Sequence, residues 1–444
     1  MLHELLRRSA WLSAGSLVGR LSPLLVLIWT SRVMEPGQFA SASAGFAWAG
    51  VAMALTSTGE ATVMTQRLGS QTDASLRRGL MLRHALRALA LASALAVVVC
   101  ILGPVGARGL FGNSISAAVV VPAAVAGVLW SQVAMCVAAL NGSHAARRAS
   151  VTLALCGLSQ GLAMALALTL WQTAQAVVWG LAVGSALAAA LALWQTRQAL
   201  GPFWRDARTA KTAVRQHLQP VALAVNPVLW NTLATVSVLP VTFFASSMIA
   251  RTTDGTRQLA QYFALEQVHQ VLVYLPAMLG QALLPMMSRR MAGVGAGPQS
   301  KAFMRRMAVA ALVAAGLGAA LALLVGLWPQ WLIGLLKNPA LQSQDGPAVR
   351  AMLLNAGLAL SLSLLGGVFV GSGRIVVAAL LNLLWGLIVV LATASWVDQG
   401  NLGLQQARVL ASVVLILLAC LLLWHHARWT GGSTPTTHRS VRKK

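Results

Sequence analysis

Twelve apolar stretches, each close to the length a helix needs to cross a bilayer, leave this chain few ways to fold. They cover residues 9–33, 39–66, 82–107, 116–140, 151–171, 176–195, 221–250, 259–287, 304–327, 348–371, 375–396 and 404–424. About 20 residues at a rise of ~1.5 Å span the ~30 Å hydrocarbon layer. Inside that layer the backbone must satisfy its own hydrogen bonds, so the stretches are helices. The fold class that follows is an all-α integral membrane protein of about 12 transmembrane helices. Composition agrees: at 57% hydrophobic and 9% charged, 444 residues carry too little polar surface for a water-soluble body.

The net charge of +24 would suggest nucleic acid in a soluble chain, so the placement of the charges decides. Basic residues crowd into every second gap, as in Arg7–Arg8, Arg77–Arg78, Arg147–Arg148, Arg289–Arg290 and Lys443–Lys444. The alternate gaps hold only Arg32, Arg108, Arg251, Arg257, Lys337, Arg350 and Arg408. This is a positive-inside bias that puts both termini in the cytoplasm of a multi-pass protein, with membrane lipids as its surroundings and no nucleic-acid partner. Cys100, Cys136, Cys156 and Cys420 lie in apolar runs without metal-ligand spacing, so neither a metal site nor a disulfide framework is indicated. Nucleotide-loop, HExxH and serine-elbow patterns are missing from the sequence, which points away from an enzyme and implies no cofactor.

The longest polar gap, 198–219, divides six spans from six. Weak echoes support a repeat: Gly109-Leu110-Phe111-Gly112 closes the third span where Leu332-Ile333-Gly334-Leu335 closes the ninth, and Asn141-Gly142-Ser143 closes the fourth where Val370-Gly371-Ser372 closes the tenth. The expected organisation is a six-helix lobe over 1–197, a cytoplasmic linker over 198–219, a second six-helix lobe over 220–427 and a disordered basic tail over 428–444. Two lobes of six enter the membrane from the same side, so they are related by a pseudo-two-fold axis along the membrane normal, around a central cavity. Pro23, Pro227 and Pro240 each interrupt a helical hydrogen bond in the spans that open the two lobes, and read as gating bends or as static kinks.

Polar residues inside the spans are the candidates for function. Ser13, Ser16 and Arg20 share one face of the first span, where a guanidinium costs at least ~2.5–3.5 kcal/mol unless it meets an anion, water or a carboxylate. Gly15 and Gly19 on the same helix form a small-xxx-small seam. Glu60 and Glu266 are the two acids placed within the membrane, and either could exchange a proton or serve as a structural partner, Glu60 for Arg20. His269 lies one turn from Glu266. Asn231, Thr235, Thr242 and Ser246 make a polar stripe on the seventh span, either cavity lining or hydroxyls bonded to their own backbone.

Three short segments carry a family resemblance. Thr30-Ser31-Arg32-Val33-Met34-Glu35-Pro36-Gly37-Gln38-Phe39 resembles the first outer turn of polysaccharide and O-antigen flippases, Thr58-Gly59-Glu60 through Gln66-Arg67 resembles the end of their second helix, and Leu283-Leu284-Pro285 through Arg289 resembles their eighth. These flippases belong to the multidrug, oligosaccharidyl-lipid and polysaccharide exporter superfamily. After Gly59 the family usually continues with an apolar residue, where this chain has Glu60. The resemblance implies a flippase that moves an undecaprenyl-pyrophosphate-linked oligosaccharide from the inner to the outer leaflet of a bacterial inner membrane by alternating access, driven by an ion gradient. It also implies a monomer, with other membrane proteins of polysaccharide assembly as candidate partners. On that reading Arg20, Ser16, Ser13, Asn231 and Thr235 face the substrate, and Glu60, Glu266 and His269 are coupling candidates. The rivals are a multidrug or small-cation antiporter of the same superfamily, which would favour an acidic cavity, and a glycan polymerase or ligase, which would need a substantial outer loop.

Overall fold

The structure, a computed structural model, describes residues 2–70, 73–112, 114–143, 145–201, 227–294, 298–372 and 374–429. Most of the expected linker and tail falls outside them. The described residues form helices joined by short turns, with no strand among them. In chain order these are α1 Leu2–Val33, α2 Pro36–Ser70, α3 Ala74–Phe111, α4 Val120–Gly142, α5 Ala146–Trp171, α6 Ala174–Leu200, α7 Pro227–Val236, α8 Leu239–Ile249, α9 Gly255–Val294, α10 Pro298–Val325, α11 Pro329–Leu336, α12 Gly346–Gly371, α13 Ile375–Ser395 and α14 Asn401–Trp429. Ten segments of the described residues are long and apolar enough to cross a membrane. Of the remaining two expected spans, the seventh is broken and its first six residues lie outside the described ones, as do the side chains of the eighth from residue 275 onward. The protein is a multi-pass membrane protein.

The break in the seventh span lies between α7 and α8, just before Pro240 at the start of α8. A proline there has no N–H to continue the ladder, which makes it a natural helix start. Pro227 begins α7, and the six residues before it lie outside the described ones. Pro23, by contrast, sits within an unbroken α1.

Helix pairing repeats between the halves. In the first, α1 packs on α5, α2 on α4, α3 on α4, α4 on α6 and α5 on α6; in the second, α7 and α8 pack on α13, α9 on α12, α10 on α12, α12 on α14 and α13 on α14. Local geometry repeats too. Ser143 N–H donates to the Ala139 carbonyl and Ala145 N–H to Leu140 at the end of α4, while Ser372 N–H donates to Val368 and Arg374 N–H to Phe369 at the end of α12. The architecture is therefore two six-span lobes, which meet along α2 with α7, α2 with α9, and α1 with α9. The bundle has a proximal end, where α1 begins, and a distal end, where it finishes.

The glycine seam on α1 is present. A Cβ on Gly15 or Gly19 would strike the backbone of Ser150 or Leu153 on α5, and one on Gly157 would strike the backbone of Gly19. Without hydrophobic drive between helices in lipid, such close approach is what holds α1 to α5. It also fixes which face of α1 looks elsewhere.

Candidate functional site

With Gly15 and Gly19 turned to α5, and Val18 and Leu25 exposed away from it, Ser13, Ser16 and Arg20 are left on the side of the second lobe. There they meet Tyr274 of α9. The Tyr274 hydroxyl donates to the Ser13 carbonyl at 3.1 Å, and the Arg20 guanidinium carbon stands 5.8 Å from the centre of the Tyr274 ring. Arg20 is exposed, while Tyr274 is buried. Arg20 lies about 10 Å along the helix from Ser13, where the apolar span begins, and among the described residues it has no carboxylate partner. An exposed cation within a span, on the seam between lobes and held by an aromatic face, has the chemistry to bind an anion.

Glu60 does not pair with Arg20. Its carboxylate meets Nδ1 of His84 on α3, and both side chains are buried. The signal was there in the sequence: His84 sits one residue from Arg83 at the start of an apolar run. What could not be read was the register that brings α3 against α2. The His84 Nε2 atom is buried with no hydrogen-bond partner among the described residues. Next along α2, Gly59 lies so close to α7 that a Cβ would strike Thr232 and the Val228 carbonyl. The pair thus sits beside a contact between lobes.

Glu266 and His269 join a buried network in the second lobe. Arg408 of α14 donates from Nη1 to Glu266 at 2.5 Å, and its Nη2 lies 3.3 Å from Nδ1 of His269. The Nε2 atom of His269 is 2.9 Å from the Asn355 amide nitrogen, Ser412 donates to the Asn355 oxygen at 2.9 Å, and the Trp385 indole N–H donates to Ser412 at 3.3 Å. Gln270 donates to the other Glu266 oxygen at 2.6 Å. Arg408, counted among the outer-gap arginines from charge placement, is instead 4% exposed and belongs to the interior. Asn355 and Arg408 were not singled out in the sequence. An arginine one turn from Ser412 and one turn from Gln405, inside an apolar stretch, was the available sign that a buried anion had to be near.

The stripe on the seventh span resolves mostly to local bonds. Thr242 donates to the Val238 carbonyl and Ser246 to the Phe243 carbonyl, as hydroxyls on membrane helices commonly do. Asn231 is half-buried on α7, which packs against α2 and α13. The Thr235 side chain lies outside the described ones.

The sequence matches the family model described as polysaccharide biosynthesis protein over residues 5–291. The chain belongs to that family. Comparison with curated proteins gives no match. Among solved structures it is similar to an inward-facing multidrug resistance MATE family transporter of the MOP superfamily, at 12% identity, covering 93% of this chain and 95% of that one, with a TM-score of 0.71. A MOP superfamily transporter from Pyrococcus furiosus described as having a binding pocket of reverse polarity aligns at 14% identity over 95% and 94% of the chains, with a TM-score of 0.64. An outward-facing MATE transporter aligns at 14% identity over 97% and 96%, with a TM-score of 0.60. The fold is the one that these solved MOP superfamily transporters share.

Proposed function

We propose that the protein flips an undecaprenyl-pyrophosphate-linked oligosaccharide, an O-antigen or exopolysaccharide unit, from the cytoplasmic to the outer leaflet of a bacterial inner membrane by alternating access. The observation that carries this is Arg20, an exposed cation on the seam between the lobes that has no carboxylate partner among the described residues. A pyrophosphate is the anion such a site would hold, a sugar head would occupy the seam, and the polyprenyl tail would stay in lipid where the lobes part. Ser13 and Ser16 lie beside the guanidinium, and Asn231 and Thr235 would line the opposite wall. The lobes correspond to 1–197 and 220–427, the termini face the cytoplasm, and the proximal end is the cytoplasmic one. The protein works as a monomer.

Among the coupling candidates we favour Glu60, on the strength of its partner. Glu266 and His269 are tied to Arg408, a permanent counter-ion, whereas Glu60 meets an imidazole and, among the described residues, no arginine or lysine at ion-pair distance. Glu60 with His84 is therefore the pair that would exchange a proton with the gradient, beside the α2–α7 contact that must loosen as the lobes move. Arg83 on α3 interacts electrostatically with Glu60, and also with Arg67 and Arg87; helices α4 and α7, which pack on α2, contain no acid, base or histidine.

A second reading, a multidrug or small-cation antiporter, draws on the MATE relatives of similar fold. Complementation separates the two. In a host lacking its own flippase, the wild-type gene is expected to restore surface glycan and R20A to fail despite normal membrane levels. Full export by R20A would refute the role of Arg20. Drug resistance conferred without glycan export would favour the antiporter.

A further inference from the structure

Arginines thin out in the gaps assigned to the distal end, which makes the survivors there informative. Two of them cross between the lobes in the same way. Arg32, in the last turn of α1, donates from Nη2 to the Leu335 carbonyl at 2.7 Å and from Nε to the Leu336 carbonyl at 3.1 Å. Arg251, just after α8, donates from Nε to the Leu110 carbonyl at 3.0 Å.

The acceptors are equivalent. Leu110 stands two residues before Gly112, whose positive φ of 60° ends α3, and Leu335 stands two residues before Lys337, whose φ of 49° ends α11. Each is a carbonyl of a last helical turn, with no later N–H of its own helix to accept from, and each lies at the negative end of a helix dipole. The donors are equivalent as well: Arg32 closes the first span of its lobe, and Arg251 closes the first span of the other. One lobe's arginine caps the other lobe's helix, and the favour is returned.

We propose that Arg32 and Arg251 are a pair of pseudo-symmetric latches that hold the distal mouth shut, and that outward opening requires both guanidiniums to leave their helix ends. Beside the Arg251 latch lie weaker closures between the lobes. Ser114 donates to the Ala250 carbonyl at 2.9 Å, Thr256 donates to Ser114 at 3.2 Å, and Phe243 meets both Phe111 and Trp48 edge-on at 5.0 Å between ring centres. Because both guanidiniums are exposed, each latch is weak enough to break within a transport cycle, and each biases the equilibrium by roughly tenfold. The latches also account for arginines where charge placement alone would exclude them. A lysine at 251 could still make its single bond, whereas at 32 it would replace the planar fork that meets two adjacent carbonyls with a flexible point charge that grips them less well.

This inference rests on alternating access, and the test separates the two. The full chain would be placed in lipid nanodiscs with spin labels carried by unnatural amino acids at Ala118 and Thr253, both exposed and on opposite lobes, leaving the native cysteines untouched. Distance distributions would be recorded by pulsed electron resonance. Wild type is expected to show a dominant short distance and a minor long one. R32A and R251A should each raise the long-to-short ratio about tenfold, and the double variant by roughly the product. R251K should stay near wild type while R32K moves towards R32A, which keeps the test open if an alanine variant fails to fold. An unchanged ratio in a stable double variant, or in R32K where the alanine variants are unstable, overturns the latches while leaving alternating access standing. A single distance in wild type under every substrate and pH condition overturns both.

Discussion

Arg408 and Glu266 face each other across 2.5 Å inside the second lobe, joining α14 to α9 with side chains only 5% and 16% exposed. The bond ties the last span to the span that lines the seam, so it fixes where Tyr274, two turns further along α9, meets Arg20.

Removing one partner leaves the other charge buried. R408A or E266A is expected to destabilise the protein by about 3–5 kcal/mol, whereas R408M combined with E266L should recover much of the loss. Denaturant unfolding in detergent, run as a double-mutant cycle, measures this. Additive losses would show that the two groups do not act as a pair.

Glu60 and His84 form a buried pair in the first lobe, with no arginine or lysine at ion-pair distance among the described residues. E60Q and H84Q are each expected to slow substrate flipping under an imposed pH gradient about tenfold or more, and the double variant to be no slower than the worse single. Glycan transport into vesicles at several internal pH values checks it. Unaltered pH dependence in both single variants would remove the pair from coupling.

The architecture was legible because hydrocarbon forces it. Each span had to be a helix of a certain length, and Gly15 and Gly19 announced a close seam by their spacing alone. The proline at 240 marked the break that divides α7 from α8. Partners were a different matter. Glu60 meets a histidine 24 positions away and Arg408 meets Glu266 from 142 positions away, and such pairings depend on how helices rotate about their axes, which no local pattern records. Arg408 was misplaced for a specific reason: counting every arginine as a mark of topology leaves none to be a buried counter-ion.

At the α1–α5 seam, Gly157 approaches the Gly19 backbone so closely that any Cβ must push the helices apart. G157A is expected to cost about 1–3 kcal/mol, and G157L to prevent stable insertion. Thermal unfolding of purified variants decides the first, and membrane yield the second. Wild-type behaviour from G157L would mean that α1 and α5 do not touch there.

Exposed glycines provide the internal control. Gly316 and Gly334 have open space where a Cβ would go, so G316A and G334A should leave yield and unfolding within about 0.5 kcal/mol of wild type. A loss as large as that of G157A would show that the glycine effect is not one of helix contact.

The most direct measurement is binding of a polyprenyl-pyrophosphate oligosaccharide to the purified protein, compared among wild type, R20K and R20A at fixed salt. Losing a charge-assisted contact of about 1.5–3 kcal/mol should weaken R20A by roughly 10- to 150-fold, with R20K in between and a polyprenyl chain lacking phosphate bound equally by all three. Equal affinity of R20A and wild type for the pyrophosphate lipid would contradict the role given to Arg20 and, with it, the flippase reading.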